Sequence, residues 1–229
     1  MAVCAQHRRD IAMSLKTIVV SAVVALTACS SGPQPADWQL NTKGALERAV
    51  AAFLEGNSRV EADEMAKARS DISSTGKVDL MARAELLACA SRVASLVFEP
   101  CAGFEKLRQD APPAERAYAD YLAGQLQPQD INYLPKDQQI SAQAAVLRAP
   151  TAIESIADPL SRLVAAGTSF QAGQASPALV QAAVDAASAQ GWRRPLLAWL
   201  GVQLKLLQAS GNTAEAARVQ RRMALVLKP

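Results

Sequence analysis

The chain has 229 residues, of which half are apolar and 4% are aromatic. It is long enough to bury one good-sized core, and its abundance of alanine, leucine and valine favours helices over sheets. Arg8, Arg9, Lys16 and Asp10 precede Cys29, so 21 basic and 20 acidic residues remain from Cys29 onward. A nucleic-acid-binding domain normally carries a basic surface, which this near-neutral balance does not indicate. We therefore expect a single all-α domain and no nucleic-acid partner.

A short apolar run, residues 17–26, is the first element in chain order. It is too short to cross a bilayer as a helix, and the preceding lysine and following small residues are typical of a secretory leader. The run ends in Leu26-Thr27-Ala28-Cys29, which resembles the lipobox of bacterial lipoproteins. This resemblance implies export, cleavage before Cys29 and lipidation of its thiol.

Residues 1–28 are thus expected to be a signal peptide. Translation from Met13 would give this leader a conventional short basic region, so we expect Cys4 and His7 to be absent from the natural product. By the same resemblance, Cys29 carries a diacylglyceryl group and an N-acyl chain. More than one acyl chain anchors a protein stably, at about 0.8 kcal/mol per buried methylene.

The residue after the lipidated cysteine is Ser30. In enterobacterial lipoproteins an aspartate there favours retention in the inner membrane. The expected location is therefore the periplasmic face of the outer membrane, with the periplasmic face of the inner membrane as the alternative. Residues 29–40 are rich in polar and helix-breaking residues and are expected to form a tether, followed by a helical domain over 41–229.

Helical periodicity predicts the first helices of this domain over 42–55, 58–70 and 78–97. The third is the most apolar, which indicates a central helix. The second carries Glu61, and it also carries Asp63 and Glu64, close to Lys67 and Arg69. Neighbouring carboxylates and cations on a helix ordinarily form a solvated face, so we expect these acids to be exposed rather than catalytic.

Cys89 and Cys101 are the only cysteines after Cys29, in a compartment that oxidises thiols. Cys89 lies about 12 Å before the predicted helix end near Val97, at 1.5 Å per residue. The extended chain through Pro100 reaches about 13 Å back. The two sulfurs can therefore meet in a disulfide worth about 3 kcal/mol, two buried free thiols being the alternative.

Further helices are predicted over 104–108, 113–125, 141–148, 153–166, 177–189, 195–210 and from 213 to the end. Ser176 caps the fifth of these and Thr213 the last, while 167–175 is expected to be loose. Tyr118 and Tyr121 are expected in the core. The composition of residues 127–137 predicts an irregular loop. Loops often carry function, so Tyr133 is a candidate binding residue.

The two last helices form a predicted hairpin that resembles part of a tetratricopeptide repeat. Ala217, Ala224 and Pro229 match the spacing of small residues and proline in the family's second helix. Lys205 and Gln208 depart from it, standing where the first helix of the family has glycine and tyrosine. The resemblance covers about 34 residues and implies paired antiparallel helices, as in a helical-repeat protein, an irregular solenoid or a bundle.

The C-terminal end is locally basic, with seven cations against Glu215. They are Arg193, Arg194, Lys205, Arg218, Arg221, Arg222 and Lys228. A solvated helix face is one interpretation, and a surface for anionic lipid, glycan or an acidic partner is the other. The residues selected as a candidate interaction surface are Tyr133, Arg193, Arg194, Arg221 and Arg222.

The only histidine, His7, precedes the expected cleavage point. Histidine-dependent catalysis and histidine metal sites are therefore not expected, and no phosphate-binding or zinc motif is present. We expect no cofactor, metal or catalytic residue, and a non-enzymatic lipoprotein that binds an envelope protein or acts as a scaffold. The alternative is a peptidoglycan hydrolase, or an activator of one, using carboxylates such as Glu85, Glu99 or Glu105.

Overall fold

The computed structural model describes residues 36–150 and 152–228. Within these ranges the chain forms α-helices and two short 3-10 helices, with no strand, which confirms the all-α prediction. The helices are α1 Asp37–Glu55, α2 Ser58–Ser73, α3 Val78–Ala94, α4 Ala102–Glu105, α5 Pro113–Leu122, α6 Lys136–Leu147, α7 Pro159–Gln171, α8 Pro177–Ala189, α9 Arg193–Ala209 and α10 Thr213–Leu227. The leader, the alternative start and Cys29 lie outside the described residues.

Two helices, α3 and α7, form the centre of the bundle. α3 packs against α1, α2, α5 and α7, and α7 also packs against α6 and α8. Gly167 of α7 lies so close to the Val93 carbonyl of α3 that a Cβ there would overlap it. The absence of a side chain thus permits the close approach of the two helices, and the prediction of α3 as the central helix is confirmed.

The C-terminal helices pack back onto the N-terminal ones. α9 contacts α1 as well as its neighbours α8 and α10. The indole Nε1 of the fully buried Trp199 donates to the Ala94 carbonyl at the end of α3, at 3.0 Å. Helices distant in sequence are therefore in contact, so the domain is an irregular bundle of hairpins rather than an open stack.

A buried polar cluster joins α5, α6 and α7. The Tyr121 hydroxyl donates to Gln138 Oε1 at 2.7 Å and accepts from Thr168 Oγ1 at 2.9 Å, while Ser141 Oγ lies 2.5 Å away. Burial raises the pKa of Tyr121 to about 12. Tyr118 stacks on Tyr121 with ring centroids 6.0 Å apart. The predicted core position is confirmed for Tyr121, which is buried, whereas Tyr118 is partly buried and packs against the core.

The predicted irregular loop at 127–137 is wrong in detail. Pro128–Tyr133 is a 3-10 helix and α6 begins at Lys136. Proline supplies the first φ angle of a short helix without losing a needed N–H, so Pro128 and Pro135 open helices rather than break them. Ile131, buried at 8% exposure, ties this segment to the core.

The prediction of one helix over 153–166 is also wrong, and the predicted loose segment over 167–175 is wrong as far as Gln171 but confirmed over 172–175. Ile153–Ser155 is a 3-10 turn, and α7 begins only at Pro159, where the Asp158 carboxylate accepts from the Ser161 N–H at 2.7 Å. The helix then continues through Gly167 to Gln171, because packing against α3 outweighs the low helix propensity of glycine.

Several helix ends also differ from prediction. α1 begins at Asp37, inside the predicted tether, where an acid in the first turn favours the helix dipole. α3 ends at Ala94 rather than near 97, because Leu96 adopts a left-handed φ of 58°. Ser176 caps α8 as predicted, but Asn212 rather than Thr213 caps α10, accepting from the Glu215 N–H at 3.2 Å.

Candidate functional site

A cleft of about 1030 Å³ opens between α2, α3, α5 and the segment that connects α3 to α5. Both apolar and charged side chains line it. The apolar part includes Met65, Val93, Phe98 and Leu122, and the charged part consists of Glu61, Arg69, Glu85, Arg92, Glu99, Glu105, Arg108 and Asp120. A cleft of this size and mixed lining is the feature of the described residues best suited to hold a ligand or a peptide segment.

The Arg92–Glu61 pair forms one wall of the cleft. Arg92 Nη2 donates to Glu61 Oε1 at 2.7 Å, and its Nη1 donates to the Ala88 carbonyl at 2.9 Å. The guanidinium also lies 4.8 Å from the ring centre of Phe53. Three different contacts therefore orient this cation, which leaves it little freedom to follow a ligand.

The Arg69–Glu85 pair stands beside it. Arg69 donates from Nε and Nη2 to the two carboxylate oxygens of Glu85, at 2.5 and 2.9 Å. This bidentate pair joins α2 to α3, and hydrogen bonding to Glu85 raises the pKa of Arg69. Gly103 packs directly on the carboxylate, where any Cβ would overlap it.

Arg108 organises the opposite side of the cleft. Its Nε and Nη2 donate to both oxygens of Glu105, at 2.8 and 2.9 Å, and its Nη1 donates to Asp120 at 2.9 Å. The guanidinium lies 5.1 Å from the ring centre of Phe104. Hydrogen bonding to Arg108 lowers the pKa of Glu105, and the same bonds raise the pKa of Arg108.

The predicted disulfide between Cys89 and Cys101 is present, with Cα atoms 5.8 Å apart. Both cysteines line the cleft. The bond joins α3 to the segment that returns from its C-terminal end. It therefore restricts the wall of the cleft that carries Phe98 and Glu99.

Phe98 and Glu99 are the lining groups most available to a partner. The Phe98 side chain is 41% exposed and stacks on Phe170, with ring centroids 6.1 Å apart. Glu99 is exposed and forms no ion pair with the residues that the structure describes. In the sequence, residues 98–101 are mainly the chain that returns Cys101 to α3, and no periodicity singles out the aromatic ring of Phe98.

The prediction of a solvated acidic face on α2 is wrong for two of its three acids. Glu61 and Glu64 are buried, because arginines of neighbouring helices reach them. Arg48 Nη2 lies 2.8 Å from Glu64 Oε2, and Lys67 Nζ 2.6 Å from Oε1. Hydrogen bonds from Lys67 and then Arg48 lower the pKa of Glu64.

None of the residues predicted as an interaction surface lines the cleft. Tyr133 is 51% exposed at the end of its 3-10 helix. Arg194 is half-buried and links α9 to the two first helices. It donates to the Phe53 carbonyl of α1 at 2.7 Å and to Ser58 Oγ of α2 at 2.9 Å.

The other arginines of that set lie at the surface. Arg222 donates to Ser188 Oγ at 3.0 Å. Arg193 and Arg221 are exposed, and their role in binding stays a prediction.

Among the described residues, no helix is long and apolar enough to cross a membrane. No group of three or more potential ligands lies together there as a metal site. Comparison of the chain with protein-family models, with curated proteins and with solved structures finds no match.

Proposed function

We propose that the protein is a lipoprotein of the bacterial cell envelope, anchored through Cys29 on the periplasmic face of the outer membrane, that binds a segment of a protein partner without catalysing a reaction. The observation that supports partner binding is the cleft, with an exposed aromatic ring beside an unpaired carboxylate. Buried aromatic anchors surrounded by charged groups carry much of the free energy of binding in protein interfaces.

The charges of the cleft suggest the chemistry of the partner. Three guanidinium groups face five carboxylates, a net charge of −2. Glu99 alone among these lacks an ion-pair partner in the described residues. A complementary segment would carry a basic side chain for Glu99 next to an apolar side chain that packs on Phe98.

Site-specific photocrosslinking in the intact envelope tests this proposal. A photoreactive amino acid in place of Phe98 should form a defined covalent adduct with one partner protein. The same group in place of Val146, which is 52% exposed on α6 outside the cleft, serves as the matched control. Glu99→Lys should reduce the yield of the adduct at position 98 about tenfold or more, since a like charge then opposes the basic side chain.

Adducts of equal yield from positions 98 and 146, or an adduct at position 98 that Glu99→Lys leaves unchanged, would overturn partner binding in the cleft. The same crosslinking assay in the intact envelope with Glu99→Gln gives a milder test, because the amide keeps the size of the side chain and removes its charge. We expect an intermediate yield from that variant.

The second candidate is a peptidoglycan hydrolase or hydrolase activator that uses carboxylates, and one observation favours it: Glu85, Glu99 and Glu105 line the same cleft. A glycosidase requires one carboxylic acid with a raised pKa. Arg108 lowers the pKa of Glu105, and Arg69 holds both oxygens of Glu85. Clearing of peptidoglycan in a zymogram that disappears with Glu99→Gln would replace the binding proposal with this one.

A further inference from the structure

The outer face of α10 carries a stripe of cations with an exposed leucine between them. α10 packs mainly on α9, and Ala216 and Val219 are buried there with half-buried Met223 and Val226. The opposite face therefore stands free of α9. Most of its exposed cations form no ion pair with the described residues, whereas the arginines that line the cleft are each paired with a carboxylate.

Residues three, four and seven apart share one face of a helix. Arg218, Arg221 and Leu225 follow this spacing on α10, and Lys228 comes directly after the helix end at Leu227. All four residues are exposed. The Leu225 side chain is 69% exposed. Arg218 pairs with Glu215 at 2.9 Å, whereas Arg221 and Lys228 form no ion pair with the residues that the structure describes.

We propose that this face of α10 binds the headgroups of anionic phospholipids in the membrane that holds the acylated Cys29. Long basic side chains extend their cationic ends to phosphates while an apolar side chain enters the interface between headgroups and acyl chains. Arg221 and Leu225 on one face of α10, with Lys228 directly after the helix end, supply this combination. The proposal rests on the lipid anchor of the proposed function.

The length of the chain after Cys29 is consistent with this contact. Seven residues, 30–36, separate the acylated cysteine from the first described helix. Even fully extended, the chain from Cys29 to Asp37 spans about 28 Å. The domain is therefore held close to the membrane surface, where its local concentration near headgroups is high and a weak second contact suffices.

The exposed residues favour a membrane over an acidic protein. Protein partners bind apolar anchors in well-packed pockets. Leu225 instead lies exposed on the outer face of α10 and lines no part of the cleft. A layer of anionic headgroups offers many phosphates without a fixed arrangement. Such a layer matches cations whose positions are set only by helical spacing.

Vesicle sedimentation with the mature chain, residues 29–229, carrying Cys29→Ser, which cannot be acylated, tests the proposal. The vesicles are phosphatidylcholine alone or with about one third phosphatidylglycerol. The test variant is Arg221→Glu with Lys228→Glu. The matched control is Arg59→Glu with Lys136→Glu, which changes the net charge equally at exposed positions on α2 and α6.

We expect binding to the anionic vesicles only, weakened about thirtyfold in the test variant and little in the control, on the basis of about 1 kcal/mol for each basic residue near the surface. Binding of the chain that keeps Arg221 and Lys228 to the anionic vesicles should also weaken as the salt concentration rises. Equal binding by test and control variants, or salt-independent binding, would overturn the proposal. Binding to poly-glutamate without binding to anionic vesicles would also overturn it, in favour of an acidic protein.

These results are separable from the proposed function. The photocrosslink at position 98 depends on the cleft, so its loss would leave vesicle binding by α10 unchanged. Conversely, a failure of vesicle binding would leave the crosslink and the acylation of Cys29 untouched.

Discussion

The helices α1–α5 and the helices α7–α10 are held together in different ways. Four glutamates of the first region are between 6% and 8% exposed, and each meets an arginine of another helix. These pairs are Arg48–Glu64, Arg69–Glu85, Arg92–Glu61 and Arg83–Glu115. The buried residues of the second region are mainly alanine, leucine and valine with Trp199, and the ion pair described there, Arg218–Glu215, lies within one helix.

This difference has consequences for stability and for the cleft. A buried carboxylate is costly without its cation, so the first region is sensitive to the loss of a single charge. The second region depends on volume and close approach, so it is sensitive to the addition or removal of atoms. The cleft lies in the charged region, which explains why its walls present arginines and carboxylates in fixed positions.

Truncation of Trp199 should have the largest effect. Trp199→Ala removes a fully buried side chain and leaves the Ala94 carbonyl without its donor. We expect a loss of about 3–5 kcal/mol in the free energy of unfolding, measured by urea denaturation. Trp192→Ala, at a half-buried position, is the comparison and should cost less. Equal losses would contradict the assignment of Trp199 to the centre of the packed region.

Removal of one partner of a buried pair should come next. Arg69→Ala leaves the carboxylate of Glu85, with a side chain 9% exposed, without its cation. We expect a loss of about 2–3 kcal/mol, reduced from the value for fully buried pairs because Arg69 is half-exposed.

A double variant sharpens this prediction. Arg69→Ala with Glu85→Gln removes both charges and should recover part of the loss in the same denaturation assay. A double variant less stable than either single one would show that the two charges contribute independently.

A single added methyl group tests the close approach of the two central helices. Gly167→Ala places a Cβ against the Val93 carbonyl, which is backbone and must move. We expect a loss of about 1–2 kcal/mol, although alanine has the higher helix propensity. Gly201→Ala, on α9 with open space around it, should be neutral or stabilising in the same assay. A stabilising Gly167→Ala would contradict the packing of α3 on α7.

Acid should destabilise helices α1–α5, and the loss at each protonated carboxylate should be smaller than the loss from any substitution above. The pKa values of Glu64 and Glu105 are lowered in the folded state by hydrogen bonds from cations. Their contribution is fully present above the unfolded pKa and is lost as the pH falls through the folded one. Stability should therefore decline below about pH 4.5.

A variant can assign part of this decline. Glu105→Gln should make the decline shallower than in the unaltered chain, because the lowered pKa of Glu105 no longer contributes. An acid profile that is identical in Glu105→Gln and in the unaltered chain would contradict the role given to the Arg108 contacts.

The sequence predicted the helical class, the central helix and the disulfide because these depend on periodicity and on spacing along the chain. Gly167 was misread as a sign of loose structure, since only tertiary packing on Val93 explains a glycine inside a helix. Pro128 and Pro135 open helices inside the segment predicted as an irregular loop. Such choices depend on neighbours that no local pattern reveals.

The cleft was not predicted, for the same reason. Glu61 and Glu64 resemble a solvated face until arginines from α3 and α1 reach them. Arg194 belongs to a basic segment of the sequence, yet it bonds to α1 and α2 across the bundle. Phe98 is an isolated aromatic residue between two helices, and its exposure beside the disulfide follows only from the returning chain.

Both proposals depend on the chemistry of Cys29, so intact-mass spectrometry of the native protein extracted from membranes is the most direct test. We predict a chain that begins at Cys29, carries acyl chains, and is two hydrogens lighter than the fully reduced form because Cys89 and Cys101 are joined. A chain that retains its leader and an unmodified Cys29 thiol would contradict the envelope location and, with it, the membrane contact of α10.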